Sequence, residues 1–401
     1  MALKILHTSD FHIGKQLLKV DFFEDMELFF DWLIKVIKEE KIDVLLMSGD
    51  LFDQANPSQQ AMRQYYMFLK RMIPLNCKVI ITGGNHDSAQ VLNAPKELLE
   101  ILDVTIVGGA PESIDELFFT VEKNNQKVVI AAVPYLRDRD IRQALAGETY
   151  DDKIAQIRAG LSTYFQQVSH HHKLHFSGTP LVVMAHLFAQ GAETTESERE
   201  IQIGNQAGID VNIFGANTSY VALGHIHKPQ AVGRENVQYS GSPIPLSFSE
   251  KEDAKRVIVL TVENDLFNVQ SINIPAFRKL ITLKGTLNEA LYKLSKHLST
   301  TVLPDLIELQ IIEEQESIAK IKELDELLSN AEYEGLQIVK GKIEFKHKVQ
   351  GTGALLNTGE DISQFQPIDL FKKRLEQDSS LEKQDIDELL NAFREILEDN
   401  N

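Results

Sequence analysis

Short apolar runs, each broken by a polar cluster, recur through the first half of the chain. Leu3–Thr8 runs into Ser9-Asp10, Val44–Met47 into Ser48-Gly49-Asp50, and Lys78–Thr82 into Gly83-Gly84-Asn85-His86. Runs this short with abrupt ends read as buried strands. Between them, apolar positions fall at helical spacing. Met26, Phe29, Phe30, Leu33, Val36 and Ile37 predict a helix over about 22–40, and a second is predicted over about 58–72. This βαβαβ order implies parallel strands joined by crossover helices.

After Val104–Val107 the rhythm changes. Phe118–Val121 and Val128–Val133 predict neighbouring strands around a polar turn at Lys123–Gln126. Leu181–Ala185 and Tyr220–Leu223 predict further buried strands. The segments around Gln238–Ser240, Arg256–Thr261 and Phe267–Ile272 predict antiparallel β-structure. The expected fold class is α/β, a two-sheet sandwich flanked by helices.

Pro275 marks an expected boundary. Beyond it, Leu280–Leu283, Leu287–Leu298, Leu306–Ile312, Ile318–Leu328 and Leu336–Phe345 alternate strand and helix, enough for a small separate α/β domain over 276–347. Residues 348–366 are Gly-, Thr- and Gln-rich and read as a linker. Over 367–401 a helix pair is expected. Pro367 opens a short helix with Ile368, Phe371 and Leu375. Ser379 and Glu382 match a capping box before a final helix striped by Ile386, Leu389, Leu390, Phe393, Ile396 and Leu397. Two readings of that stripe stay open: docking on the chain's own core, or on a partner's groove or coiled coil.

Composition narrows the class. At 401 residues, 43% hydrophobic and 25% charged, the sequence is that of a soluble globular protein of more than one domain. The apolar runs are too short to span a bilayer, so no membrane role is expected. The N-terminus enters a strand directly, without the pattern of a signal peptide, and the cytoplasm is the expected location. A single cysteine, Cys77, excludes an intrachain disulfide. The net charge of −18 argues against bulk nucleic-acid binding, unless bound divalent ions or a basic partner surface offset it.

The polar clusters carry the candidate chemistry. They are Asp10-Phe11-His12, Gly49-Asp50-Leu51-Phe52-Asp53, Gly84-Asn85-His86-Asp87, His186 and Gly224-His225-Ile226-His227. In an open α/β sheet, sites form at the carboxyl ends of strands, and each cluster follows one. Asp10 and His12, like His225 and His227, are two apart, which in extended backbone puts both side chains on one side. Gly14, Gly49, Gly83, Gly84 and Gly224 allow tight turns and close approach. Carboxylates, imidazoles and one amide suit Mn, Fe or Zn better than Ca. Two such ions sharing a carboxylate can hold a phosphoryl group and generate hydroxide, and Asp50 is the natural bridge. Taken singly, His186 reads as a core histidine and Asp10 as a cap; Asp53 and Asp87 read as supporting residues. Their order along the chain favours one site.

These motifs resemble the calcineurin-like metallophosphoesterase superfamily over about residues 1–275. The resemblance implies that Asp10, His12 and His227 hold one metal ion and that Asn85, His186 and His225 hold a second. Asp50 is shared, and His86 orients the scissile phosphate or protonates the leaving oxygen. Ser9–Gly14, Gly49–Asp53, Gly84–Ser88, the Gly241-Ser242-Pro243 turn and the later domains are further similar to the nuclease-subunit family of bacterial SbcC–SbcD complexes. That implies Mn2+-dependent cleavage of DNA, exonucleolytic at duplex ends and endonucleolytic on single strands or hairpins, in repair and recombination. The small domain would be a DNA-contacting cap. The helix pair would dock on the coiled coil of an SbcC-type ATPase, itself the ATP-binding partner, since this chain has no P-loop. A homodimer within a heterotetramer is implied; core packing accounts for part of the wide apolar arc of Met62, Tyr65, Tyr66, Phe68, Leu69 and Met72 on the second helix, and the remainder would be a dimer contact.

Alternatives on the same fold are a phosphomonoesterase or protein phosphatase, and a catalytically dead scaffold. The first lacks its Arg, because Asp53 is followed by Gln54-Ala55. The second conflicts with the complete ligand set. Tyr135–Arg139 offers basic groups for DNA or for ordinary salt bridges. His170–His172 with His175 reads as a solvated turn.

Overall fold

Val44–Ser48 is buried along its whole length, as an unalternating apolar run between covered faces requires. The computed structural model describes residues 2–142, 147–199, 201, 208–329, 332–333, 335–347, 366–376, 381 and 383–399. They form two compact units, one ending at Phe277 and the other starting at Arg278.

The first unit begins β1 (Leu3–Thr8), α1 (Phe23–Glu40), β2 (Val44–Ser48), α2 (Gln59–Met72), β3 (Lys78–Thr82) and β4 (Val104–Val107). The four strands pair in parallel. Ser58 caps α2, its hydroxyl accepting from Ala61 N at 3.1 Å. The two helices meet through stacked Phe30 and Phe68, ring centroids 4.3 Å apart. Next come the hairpin β5 (Phe118–Lys123) and β6 (Gln126–Ala132), α3 (Tyr150–His175), β7 (Leu181–His186), β8 (Tyr220–Gly224), β9 (Gln230–Val232) and β10 (Arg234–Tyr239). The unit closes with the hairpin β11 (Arg256–Glu263) and β12 (Leu266–Asn273).

Two six-stranded sheets result, ordered β12-β11-β1-β2-β3-β4 and β9-β10-β8-β7-β6-β5. One apolar core joins them, with Ile5, Leu46, Ile80 and Leu260 from the first sheet and Val129, Val183 and Val221 from the second. The sandwich is thus the α/β architecture read from the sequence.

Two details differ from that reading. β10 pairs antiparallel with β9, as expected, but its other neighbour, β8, is parallel to it. The His170–His172 run and His175 lie in the last turns of α3, not in a solvated turn. That helix buries Ile157, Leu161, Phe165 and Val168 at helical spacing and starts with a Thr149–Asp152 capping box.

In the second unit, β13 (Leu280–Gly285), α4 (Leu287–Lys296), β14 (Asp305–Gln315), α5 (Ile318–Ser329) and β15 (Leu336–His347) alternate as expected. The three strands are parallel, and Glu332–Tyr333 adds an antiparallel edge. Leu287, Ala290, Ile307, Leu309, Leu324 and Ile338 form its core. Last come α6 (Pro367–Glu376) and α7 (Lys383–Asp399). Phe371 stacks on Phe393 at 4.2 Å, and Leu375 and Leu390 are buried. Part of the final stripe is therefore covered by α6, while Ile396 stays 56% exposed. Residues 348–365 of the expected linker lie outside the described residues, as do Ser379, Ser380 and Glu382 of the expected capping box. Among the described residues, no helix is long and apolar enough to cross a membrane.

Candidate metal centre

The loops after β1, β2, β3 and β8 and the last residue of β7 bring the five clusters together. The first two loops zip along their backbones: Asp10 N donates to Gly49 O (3.2 Å), His12 N to Asp50 O (3.0 Å) and Ile13 N to Leu51 O (2.9 Å). Asp87 ties the second loop to the third, its carboxylate accepting from the amides of Leu51 (3.0 Å), Phe52 (3.0 Å) and Gly84 (2.9 Å). Asp10 Oδ1 accepts from His225 N at 2.8 Å, and Asp50 Oδ1 from His86 N at 2.8 Å. Each carboxylate thus spends one oxygen on positioning a distant loop. The tight folding shows in the backbone: Asp10, His12, Asp50 and His225 all have positive φ, between 45° and 103°. That conformation is uncommon for residues with a side chain, though Asp and His tolerate it better than most.

Two groups of ligand atoms converge. Asp10, His12 and His227 bring theirs within 4.8 Å of one another, and so do Asp50, His186 and His225. His12 Nε2 is 3.1 Å from His227 Nε2. Asp50 Oδ2 lies between the groups, 3.6 Å from His12 Nε2 and 3.4 Å from His186 Nε2. Asn85 Oδ1 completes the second group, 2.8 Å from His186 Nε2 and 3.3 Å from His225 Nδ1. The carboxylates and imidazoles are buried and Asn85 is half-buried.

The donor set fits divalent ions. His225 Nε2 is buried without a hydrogen-bond partner, and Asp50 Oδ2 has only the His186 ring, at 3.4 Å, within hydrogen-bond reach, so both atoms have donor capacity left for an ion. A third grouping, His12, Asp50 and His86, sets His86 beside the Asp50 carboxylate. His86 Nδ1 donates to Asp53 O at 2.7 Å, which leaves Nε2 for a reacting oxygen.

The electrostatics agree with that use. Burial would raise the pKa of Asp50, but the charge of His186, with His12 and His86, outweighs it and holds the carboxylate well below its usual range. Burial would lower His186, yet Asp50 and Asp10 push it up to about 9, so the two form an ion pair. Burial, with His186 nearby, holds His225 well down and therefore neutral. Burial likewise brings His86 down to about 4.

Other candidates take supporting places. The Asp53 carboxylate sits 3.3 Å from His12 Nδ1 and 3.1 Å from Lys15 Nζ, where it can orient the His12 ring. Arg137 Nη2 reaches Asp87 O at 3.5 Å, next to the third cluster, while Arg139 pairs with Asp140 at 3.7 Å.

The structure also brings in residues that sequence reasoning missed. His227 N donates to Glu198 Oε1 at 2.8 Å, and His227 O accepts from Lys255 Nζ at 2.9 Å. His227 Nδ1 meets Ser197 Oγ at 2.7 Å, and Ser197 in turn bonds Glu250 Oε1. Thr195-x-x-Glu198 does match a capping box, with Thr195 N donating to Glu198 Oε2 at 2.7 Å. That signal announces a turn and says nothing of its neighbour in space.

Residues 3–229 match the family model of the calcineurin-like phosphoesterases. Residues 276–379 match that of the type 5 capsule protein repressor C-terminal domain. The chain is 31% identical to the SbcD component of the SbcCD nuclease of Escherichia coli strain K12, over 71% of this chain and 72% of that one. It is 35% identical to the SbcD of Rhodobacter capsulatus, over 62% and 64% of the two chains. With that of Bacillus subtilis strain 168 it shares 29% identity over 64% and 66%. The chain therefore belongs to the calcineurin-like phosphoesterases and, within them, to the SbcD family of SbcCD nuclease components.

Proposed function

We propose that the chain hydrolyses DNA phosphodiesters with two divalent ions, Mn2+ being the expected metal. The reading extends to exonuclease action at duplex ends and endonuclease action on single strands or hairpins. The observation that carries it is the place of Asp50 Oδ2, within 3.6 Å of one imidazole group and 3.4 Å of the other. Asp10, His12 and His227 would hold one ion and Asn85, His186 and His225 the other, with Asp50 common to both. When bound, the ions supply the positive charge that offsets the phosphoryl oxygens and acidifies the attacking water.

The chain's own groups do the rest. Asp50 and Asp10 lock the loops through their second oxygens, so that the ligand set is preorganised. His86, neutral at rest, presents Nε2. An incoming phosphate would raise its proton affinity, so that it could orient the diester and then protonate the leaving oxygen. Gln54-Ala55 after Asp53 leaves no Arg there to grip a phosphomonoester, which favours a diester.

Residues 1–275 would be the nuclease domain, 276–347 a DNA-contacting cap and 348–366 a linker. The helix pair over 367–401 would dock on an SbcC-type coiled-coil ATPase in the cytoplasm. A homodimer within that complex would use the α2 region, where Met67 and Ile73 are 44% and 48% exposed. The test compares Mn2+-dependent hydrolysis of linear duplex DNA and of a phosphoprotein by the chain with its ATPase partner. DNA cleavage supports the reading; intact DNA beside a dephosphorylated protein overturns it.

A further inference from the structure

His227 is gripped at its backbone N–H, its backbone carbonyl and its ring Nδ1 by residues outside every ligand motif. The grip on the ring has a direction. Lys255 Nζ lies 2.5 Å from Glu250 Oε2, and both residues are buried. Glu250 is therefore a carboxylate, which can only accept hydrogen bonds. Its other contacts agree, since Oε2 also accepts from Leu246 N at 3.2 Å.

Ser197 Oγ has one proton to give. It touches Glu250 Oε1 and also Thr195 Oγ1, at 2.8 Å from the latter. Thr195 Oγ1 has a proton of its own, which it can give to Ser197 Oγ, since Glu198 Oε2 already accepts from Thr195 N at 2.7 Å. The charged carboxylate is the stronger acceptor, so the Ser197 proton goes to Glu250. The Ser197 oxygen is then left as an acceptor facing His227 Nδ1 at 2.7 Å. Glu250 Oε1 itself lies 3.4 Å from the same nitrogen. Every neighbour of Nδ1 thus asks for a proton on it.

We propose that Ser197, set by the Glu250–Lys255 pair, is a positioning residue that fixes His227 with its proton on Nδ1, so that Nε2 faces the metal centre as a lone pair. Glu198 and Lys255 hold the backbone on either side of the ring and fix where that nitrogen points. The proposal rests on the two-metal reading for its consequence and on hydrogen-bond chemistry alone for the tautomer.

The test uses the full-length chain. In the metal-free wild type, 15N chemical shifts should report His227 protonated at Nδ1. Ser197→Ala leaves Glu250 Oε1, 3.4 Å away, as the nearest acceptor for Nδ1–H, so a fraction of the Nε2-protonated tautomer should appear. In Mn2+ titration calorimetry, affinity at one of two sites should fall by about 10- to 100-fold, the usual loss when a residue supporting a ligand is removed. The other site should keep its affinity, and Ser197→Thr, which keeps the hydroxyl, should restore the first. A neutral His227 ring carrying its proton on Nε2 in the wild type would overturn the proposal, even if the Ala variant fails to fold. Unchanged tautomer and affinities in Ser197→Ala would overturn it too. If the wild type binds fewer than two Mn2+ while the tautomer is as stated, the two-metal reading is what fails.

Discussion

His12 Nε2 and His227 Nε2 stand 3.1 Å apart although 215 positions separate them in the chain. Two imidazole nitrogens at that distance need a proton or a cation between them, because two lone pairs would repel. Asp50 Oδ2 lies 3.6 Å from the first, which makes a cation the chemically consistent occupant.

Replacing the shared carboxylate tests that arrangement. Asp50→Asn keeps an oxygen to accept from His86 N but removes the charge facing His12 and His186. Mn2+-dependent cleavage of linear DNA should fall by more than about 100-fold, more than the loss of a supporting residue costs. Circular dichroism should show the fold retained. Unchanged turnover would remove Asp50 from the centre.

The approach of β8 to β2 leaves no room for a side chain at Gly224. A Cβ there would lie 1.7 Å from Ser48 O, a backbone atom that cannot step aside. Gly224→Ala should cost about 3 kcal/mol or more in urea denaturation, as severe overpacking does. Gly178→Ala is the control. It has φ +79° but nothing within 4 Å, so only about 1 kcal/mol of backbone strain is expected.

Metal binding should be proton-linked through His186. Its pKa is raised to about 9, because the charge of Asp50 outweighs the burial that would lower it. The raised value means the proton is held at pH 7.5 and must leave when a metal takes the nitrogen. Mn2+ affinity should therefore rise with pH up to about 9 and then level. Calorimetry in buffers of different ionisation enthalpy should show proton release at pH 7.5 that disappears above that value.

Cys77 should be inert in the native chain. Burial, with Asp43 and Asp103 nearby, pushes its thiol up to about 12. The reactive thiolate is then scarce at pH 8. Iodoacetamide followed by mass spectrometry should leave Cys77 unmodified in the native chain and alkylate it fully in urea.

Much of this candidate centre is legible in the sequence because the residues that converge on it sit at strand ends. Asp10, Asp50, Asn85, His186 and His225 each follow an apolar run, so sheet topology alone predicts that they converge. Ser197, Glu198, Glu250 and Lys255 have no such marker. They lie in irregular polar segments, and only the tertiary path of the chain brings them to His227. The parallel pairing of β10 with β8 was hidden for a similar reason, since the short strand β9 between them in the chain carries almost no pattern. Helix α3 was different: Ile157, Leu161, Phe165 and Val168 did show helical spacing, but a largely polar surround and a histidine run obscured it.

The most direct test of the whole account is anomalous diffraction at the manganese edge from crystals of the chain soaked in Mn2+. Two peaks are predicted, one contacted by Asp10, His12 and His227 and the other by Asn85, His186 and His225, with Asp50 touching both. A single peak, or two that do not share Asp50, would contradict it.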